Sequence, residues 1–379
     1  MRLALVGAFA FPLPQGSQLF ARDQARALVA EGAEVTLFCY GSGSGPAPPE
    51  VPLVRIPRAL TPRRVRAGPS PGKPLADAAL AAALARAQRA SPFDVAIAHN
   101  AEAALAALCA RAVTGLPVLY VAHTLLELEL ASYAPAALRP VLNRIGRGLD
   151  RALAAHVDGV LALSSEAAKR LGREARGPLA VIPPGRDAAV APEPAEIART
   201  CARFGLEPGR FVLYSGNLDA YQELADLAQA ARRLTRLAVV VATHAERGVA
   251  PAPLRVLRLA TAEAGRALAF GAAVAVLPRR IPGGFPIKLL NYMEAGRAIV
   301  AHARVADALE HDHSAWLLAP GATPADLADA IGALASDPAR AARLGRGARA
   351  ALETRFAWPP LARRTLTLCE ALCAKGNRR

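Results

Sequence analysis

The sequence predicts an α/β chain built as two doubly wound parallel sheets, one after the other. Three observations carry this. Apolar runs alternate with helix-like stretches almost throughout. The apolar runs are continuous Val/Leu/Ile/Ala segments, as expected of strands covered on both faces. The alternation halts once, at residues 183–198, where four prolines and a glycine read as a linker. A length of 379 residues suits two such halves, and 53% hydrophobic with 20% charged residues excludes global disorder.

In the first half, residues 2–6 read as a strand, and Leu19, Phe20, Ala27 and Leu28 space a helix over 17–31. Then come a strand at Val35–Cys39, a helix at Ala76–Ala90, a strand at Asp94–Ala98 and a helix over 101–113. A strand at Pro117–Val121, a helix over 136–155 and a strand at Val157–Leu163 follow. Ser164 is placed to cap the next helix, and Leu179–Ile182 closes the series as a strand. The second half opens with a strand at Phe211–Ser215, a helix over 221–234 and a strand over 237–242. It continues with strand Ala273–Leu277, a helix over 285–295 and strand Ala298–Ala301, then helices over 324–336, 339–354 and 360–374.

Met1–Ala10 meets Pro12 and Pro14 quickly, so it reads as a first strand and not a signal peptide. The apolar runs 112–126 and 267–278 are shorter than the ~18–20 residues of a membrane span. The expectation is a cytoplasmic protein, at most peripheral on the inner face of a membrane. Five cysteines with no C-x-x-C pair read as buried thiols in a reducing compartment, with Cys369 and Cys373 on one helix face.

The net charge of +15 asks for an acidic partner. It is spread evenly, however: residues 1–186 carry 21 basic and 13 acidic side chains, the remainder 25 and 18. With only 5% aromatic residues for stacking, nucleic acid is not expected as a partner. Two local basic features stand out. Loop 57–74 holds Arg58, Arg63, Arg64, Arg66 and Lys73 without an acid. It is either a solvated loop or a contact for an anionic membrane surface or phosphorylated acceptor. Arg144, Arg147 and Arg151 share a helix face, which reads as a solvated surface.

Several motifs are set aside. Gly41–Gly45 should open a helix if it held a dinucleotide, yet Pro46, Pro48 and Pro49 follow. His311-Asp312-His313 sits in a polar turn. No Asp-x-Asp triplet, P-loop or Gly-x-Ser-x-Gly element occurs, so no metal or cofactor is expected. The informative stretch is 277–301. A strand ends in a Gly-containing loop, and a helix expected near Phe285 would offer free N–H groups to a diphosphate. Lys288, in the first turn, opposes the helix dipole, a placement that suggests phosphate neutralisation. Asn291, one turn on, could bond ribose hydroxyls.

At this point the chain resembles a retaining GT-B glycosyltransferase of the large family 4. The blocks that carry the likeness run through nearly the whole chain in order. They are Gln15-Gly16-Ser17, Glu31–Leu37, Phe93–Asn100, Pro117–Thr124, Asp158–Ser164, Val181–Asp187, Phe211–Leu218, residues 283–301 and Trp358 with the last helix. The resemblance implies two Rossmann-like domains facing a cleft: 1–186 for the acceptor and 187–358 for the nucleotide-sugar. Residues 359–379 would be a helix returning to the first domain.

It also implies roles. His123 and Lys288 would be the catalytic pair. Gly16, Gly216, Asn217, Arg279, Arg280, Gly283, Gly284, Phe285, Pro286, Ile287 and Asn291 would bind the donor. His99, Asn100, Arg63, Arg64 and Arg66 would face the acceptor, a glycan, polysaccharide or lipid-linked sugar. The chain departs from the pattern where the family's two Glu-x7-Glu glutamates align with Gly283 and Asn291. Asn217 and Tyr221-Gln222 stand where an Arg and a Lys are usual. A subset with Y-Q-[GN]-L and P-[IL]-K-[LI]-x-x-Y segments also lacks that Lys, and Tyr221–Leu224 and Pro286–Tyr292 resemble it. A non-catalytic GT-B protein and a nucleotide-sugar epimerase are the alternatives.

Overall fold

The computed structural model describes residues 1–13, 16–43, 47–62, 72–132, 135–187, 189–245, 248–281, 284–306 and 308–376. The first series is β1 (Arg2–Ala10), α1 (Gly16–Ala30), β2 (Glu34–Tyr40), β3 (Leu53–Arg55), α2 (Lys73–Ala90), β4 (Val95–His99) and α3 (Ala101–Thr114). It continues with β5 (Val118–Ala122), α4 (Leu126–Ser132), α5 (Arg139–His156), β6 (Gly159–Ala162), α6 (Ser165–Leu171) and β7 (Leu179–Val181). The second comprises α7 (Pro194–Arg203), β8 (Phe211–Ser215), α8 (Leu224–Ala231), β9 (Ala238–Thr243), β10 (Arg255–Arg258), α9 (Ala262–Gly271) and β11 (Val274–Leu277). Then follow α10 (Lys288–Glu294), β12 (Ala298–His302), β13 (Trp316–Leu318), α11 (Pro324–Ser336), α12 (Pro338–Arg355) and α13 (Trp358–Gly376).

The strands form two sheets, ordered β3-β2-β1-β4-β5-β6-β7 and β10-β9-β8-β11-β12-β13. All pairings between these strands are parallel, for example Leu5 beside Leu37 and Ile97, and Val274 beside Val212 and Ala298. Both sheets are doubly wound and Rossmann-like. Each reverses direction once, between β1 and β4 and between β8 and β11. Ligands of such sheets bind beyond the strands' carboxyl ends at that reversal. The central strands β4, β5, β11 and β12 are buried at every position, which is why their sequences read as unbroken apolar runs.

The chain divides into two compact units. One holds Met1–Gly185, Gly283–Phe285 and Trp358–Arg379; the other holds Arg186–Pro282 and Pro286–Ala357. In the first, α13 lies on α1: Arg363 pairs with Glu31 at 2.9 Å, and the Trp358 ring stacks on Phe20 with centroids 5.8 Å apart. In the second, Glu294 is 1% exposed and is gripped by Arg186 at 2.6 Å and Arg266 at 2.8 Å. Among the described residues no helix is long and apolar enough to cross a membrane.

Several expectations need correction. The linker 183–198 ends early, because Pro194 opens α7: proline at the first helical position gives up only an N–H that has no partner there anyway. The helix expected from Phe285 begins at Lys288. Phe285 precedes Pro286, whose ring disfavours helical backbone at the residue before it. The helix expected over 221–234 is a 3₁₀ turn at Ala220–Gln222 followed by α8. Of the five cysteines only Cys39, Cys201 and Cys369 are buried; Cys109 is exposed. Elements β3, α4, β10, α9 and β13 were not anticipated.

Candidate functional site

In the first unit the carboxyl ends of β4 and β5 carry His99 and, one residue past the strand, His123. His99 Nδ1 and His123 Nε2 are 2.9 Å apart, so one proton is shared between them. His99 is fully buried, and its Nε2 has no hydrogen-bond partner among the described residues. An orphaned buried N–H costs more than an orphaned lone pair. The cheapest arrangement therefore protonates His99 at Nδ1, which donates to His123 Nε2. His123 then carries its own proton on Nδ1. Burial drives both rings toward the neutral form: the His123 pKa falls to about 3, and His99 also drops well below the usual value.

Phe20 of α1 meets both imidazoles edge-on, with centroids 5.5 Å from His99 and 5.1 Å from His123. Asn100 follows His99 with φ 76°, uncommon backbone for a residue with a side chain, and its N–H reaches Val121 O at 3.3 Å. Gly284 (φ +103°) lies so close to His123 that a Cβ would overlap the His123 carbonyl oxygen. Gly16 is exposed at the first position of α1.

In the second unit, β8 ends in Ser215-Gly216 and β11 is followed by Arg279 and Arg280. Lys288, the first residue of α10, reaches back to these strand ends. Its Nζ donates to Tyr214 Oη at 2.7 Å and to Gln222 Oε1 at 2.9 Å, and lies 4.1 Å from the Tyr214 ring centroid. A Cβ on Gly216 would sit 2.6 Å from that Nζ, and its φ of +146° suits glycine alone. Both partners of Lys288 are neutral, and among the described residues no carboxylate lies within ion-pair distance. Desolvation, then the charge of Arg279, push the Lys288 ammonium well below its ordinary pKa, with Asp219 opposing. Arg279 is 6% exposed and its guanidinium stands over the Tyr221 ring at 5.9 Å. Burial lowers its pKa too.

Other sequence-derived candidates separate. Asn217 is exposed and donates to Asp219 at 2.5 Å and Tyr221 Oη at 3.0 Å. Arg280 binds Asp226 at 2.6 Å and the Ala322 carbonyl at 2.6 Å, and its N–H is taken by Glu223. Arg280 also lines a cavity of about 110 Å³ with His302, Arg304 and Gly321. Asn291 is half-buried on α10 and Pro286 is buried. The amides of Leu289 and Leu290 are already bonded to Pro286 O at 2.8 Å and Ile287 O at 3.0 Å. Gly284 and Phe285 therefore precede the helix and do not form its first turn, because α10 starts at Lys288. Gly283, Arg63, Arg64 and Arg66 lie outside the described residues.

The sequence reading missed Tyr214, Phe20 and His302 as site neighbours. Only His302 left a signal, as a histidine closing an apolar strand like His99. The set-aside motif proves structural: Asp312 is bound by Arg340 at 2.7 Å and Arg343 at 3.1 Å, and His311 Nδ1 accepts the Leu317 N–H.

Known proteins share this architecture. The model of Glycosyltransferase Family 4 matches residues 14–190, and that of Glycosyl transferases group 1 matches residues 209–337. A D-inositol 3-phosphate glycosyltransferase of Xylanimonas cellulosilytica is 27% identical over 397 residues, 94% of this chain and 93% of that protein. The structure of sucrose-phosphate synthase from Thermosynechococcus elongatus superposes with a TM-score of 0.80 at 18% identity, covering 99% of both chains. The Anabaena protein HepE, solved with UDP-glucose, gives 0.72 at 16%, covering 99% of this chain and 100% of its own.

Proposed function

We propose that this chain, whose residues 14–190 and 209–337 match the models of Glycosyltransferase Family 4 and Glycosyl transferases group 1 and which has the GT-B fold, moves a sugar from a nucleotide-sugar to a glycan or lipid-linked acceptor, retaining the anomeric configuration and using no metal. The observation that carries this reading is Lys288. A desolvated ammonium held by two neutral side chains beside a glycine is costly without an anion and well placed for one. Arg279, buried nearby, adds a second positive charge.

In this reading the bond from the anomeric carbon to the diphosphate oxygen breaks, and Lys288 with Arg279 takes up the charge that develops. The acceptor hydroxyl attacks the face the diphosphate leaves, and its proton passes to the departing phosphate oxygen. His123, neutral and protonated on Nδ1, serves as a hydrogen-bond donor to a sugar hydroxyl and not as a base. Among the described residues no group of His, Cys, Asp and Glu has the arrangement that holds a metal.

A second reading is a GT-B protein that binds a nucleotide-sugar without transfer. Asn291 favours it, since it stands where the family's second motif glutamate aligns. One experiment separates the two. The protein is melted with UDP-glucose and with other UDP-, GDP-, ADP- and TDP-sugars, and the stabilising donor is then followed by NMR with candidate acceptors. Transfer predicts stabilisation by one nucleotide class and a product of unchanged anomeric configuration. Stabilisation without turnover or hydrolysis supports the second reading, and no stabilisation by any nucleotide overturns both.

A further inference from the structure

Helix α5 carries an outward face that the fold leaves uncovered. Val141, Ile145 and Leu149 are 58%, 49% and 47% exposed, and Leu138, just before the helix, is 53% exposed. Spacing of four places the three helix residues on one stripe. Single exposed apolar residues are ordinary, but an aligned row of them over three turns is not. Beside that stripe, at 100° per residue, run Arg144, Arg147 and Arg151, all exposed. The only acid of the helix, Asp150, is 5% exposed and faces inward, accepting the Leu126 and Glu127 N–H groups at 3.0 and 2.9 Å. Arg147 and Arg151 pair with Glu127 and Glu174 at their flank, yet their side chains stay 54% and 53% exposed.

The outward half of α5 is therefore an apolar stripe bordered by cations, with no carboxylate of its own. We propose that this face docks on an anionic lipid bilayer, the helix lying in the plane of the interface. Leu138, Val141, Ile145 and Leu149 would enter the headgroup–acyl boundary while the arginines rest on lipid phosphates. Charge decides against a second copy as the occupant. A two-fold contact through this stripe would bring each arginine row against its like, between chains of net charge +15. The inference holds whichever sugar is moved.

The test is co-sedimentation of the full chain with vesicles of phosphatidylcholine alone and of phosphatidylcholine mixed with phosphatidylglycerol. The wild type is expected on the mixed vesicles, less so at high salt, and only weakly on the neutral ones. Replacing Arg144 and Arg151 with glutamine should weaken partitioning by about fivefold for each arginine. The triple change Val141→Ser, Ile145→Ser and Leu149→Ser should weaken it by more than tenfold on both vesicle types. Ile145→Glu alone gives the same test with one exposed change, should the triple variant melt early. Wild-type binding that all these variants retain overturns the proposal, as does no binding by the wild type. A lipid-indifferent chain whose dimer is lost in the stripe variants, read by light scattering, identifies the stripe as a self-interface and also overturns it.

Discussion

The two sheets reverse direction in the same way, yet the side chains at their carboxyl ends obey opposite electrostatics. At β4 and β5 two histidines are made neutral by burial and spend a shared proton on each other. At β8 and β11 a buried Arg279 stands near a half-buried Lys288 whose hydrogen-bond partners, Tyr214 and Gln222, are both neutral. The same point of reversal thus supplies two kinds of edge: a neutral hydrogen-bonding one, and a positive one that the proposed diphosphate would meet. The second costs stability while it is empty, which is why it identifies a ligand more sharply than the first.

The strongest way to break this contrast is to remove the charge. Lys288→Met keeps the length of the side chain without the ammonium. Charge-assisted hydrogen bonds contribute about 1.5–3 kcal/mol each, so the Kd for the stabilising nucleotide should rise by about a hundredfold. The empty protein should melt higher than the wild type. The folded lysine resists a proton that the unfolded one, with a pKa near 10.5, binds freely at neutral pH, and methionine removes that penalty. Calorimetry and thermal melts read both effects. A variant that keeps nucleotide affinity, or melts lower when empty, would falsify the assignment of Lys288 to an anion.

A smaller effect probes the neutral edge. The His123 pKa is depressed from 6.5 to about 3 on folding. The unfolded chain takes up a proton below pH 6.5 that the folded chain refuses, so stability present above that pH is lost as pH falls toward 3. At pH 5 the loss from this one ring is about 2 kcal/mol. The measurement is urea unfolding at pH 7 and pH 5, wild type against His123→Gln. The acid-dependent loss should shrink in the variant. An equal loss in both chains would show that His123 titrates normally.

Legibility in the sequence follows the same divide between local and distant information. Central strands such as Val95–His99 and Val274–Leu277 were readable because both faces are covered and every position is apolar. Edge strands β3, β10 and β13 span only three or four residues with mixed burial, so no periodic signal marks them. Helix α9 runs nearly directly into β11 as one apolar stretch, which hides the boundary. His123 and Lys288 could be picked out from their places at a strand end and in a first helical turn. What Lys288 touches could not: Tyr214 is 74 residues away and Gln222 is 66. Such partners depend on how the strands are ordered in the sheet, which no local spacing encodes.

The finest distinction concerns the proton between the two histidines. If His99 donates from Nδ1 to His123 Nε2, then His99 acts on the reaction only by holding His123 in one tautomer. His99→Asn keeps an amide donor close to where Nδ1 lies, whereas His99→Leu fills the space without one. The leucine variant should lose about tenfold in kcat, the worth of one neutral hydrogen bond, with little change in KM for the donor. The asparagine variant should recover most of it. Long-range nitrogen NMR gives a readout independent of turnover: His123 in the wild type should show a protonated Nδ1 and an unprotonated Nε2. In the leucine variant the pattern should become a mixture of tautomers, because nothing then prefers one nitrogen over the other. A wild-type spectrum with the proton on His123 Nε2 would reverse the direction of the bond and make His123 the donor to His99. His123 Nδ1 would then be an acceptor, and the edge at β4 and β5 would be suited to a ligand that donates hydrogen bonds.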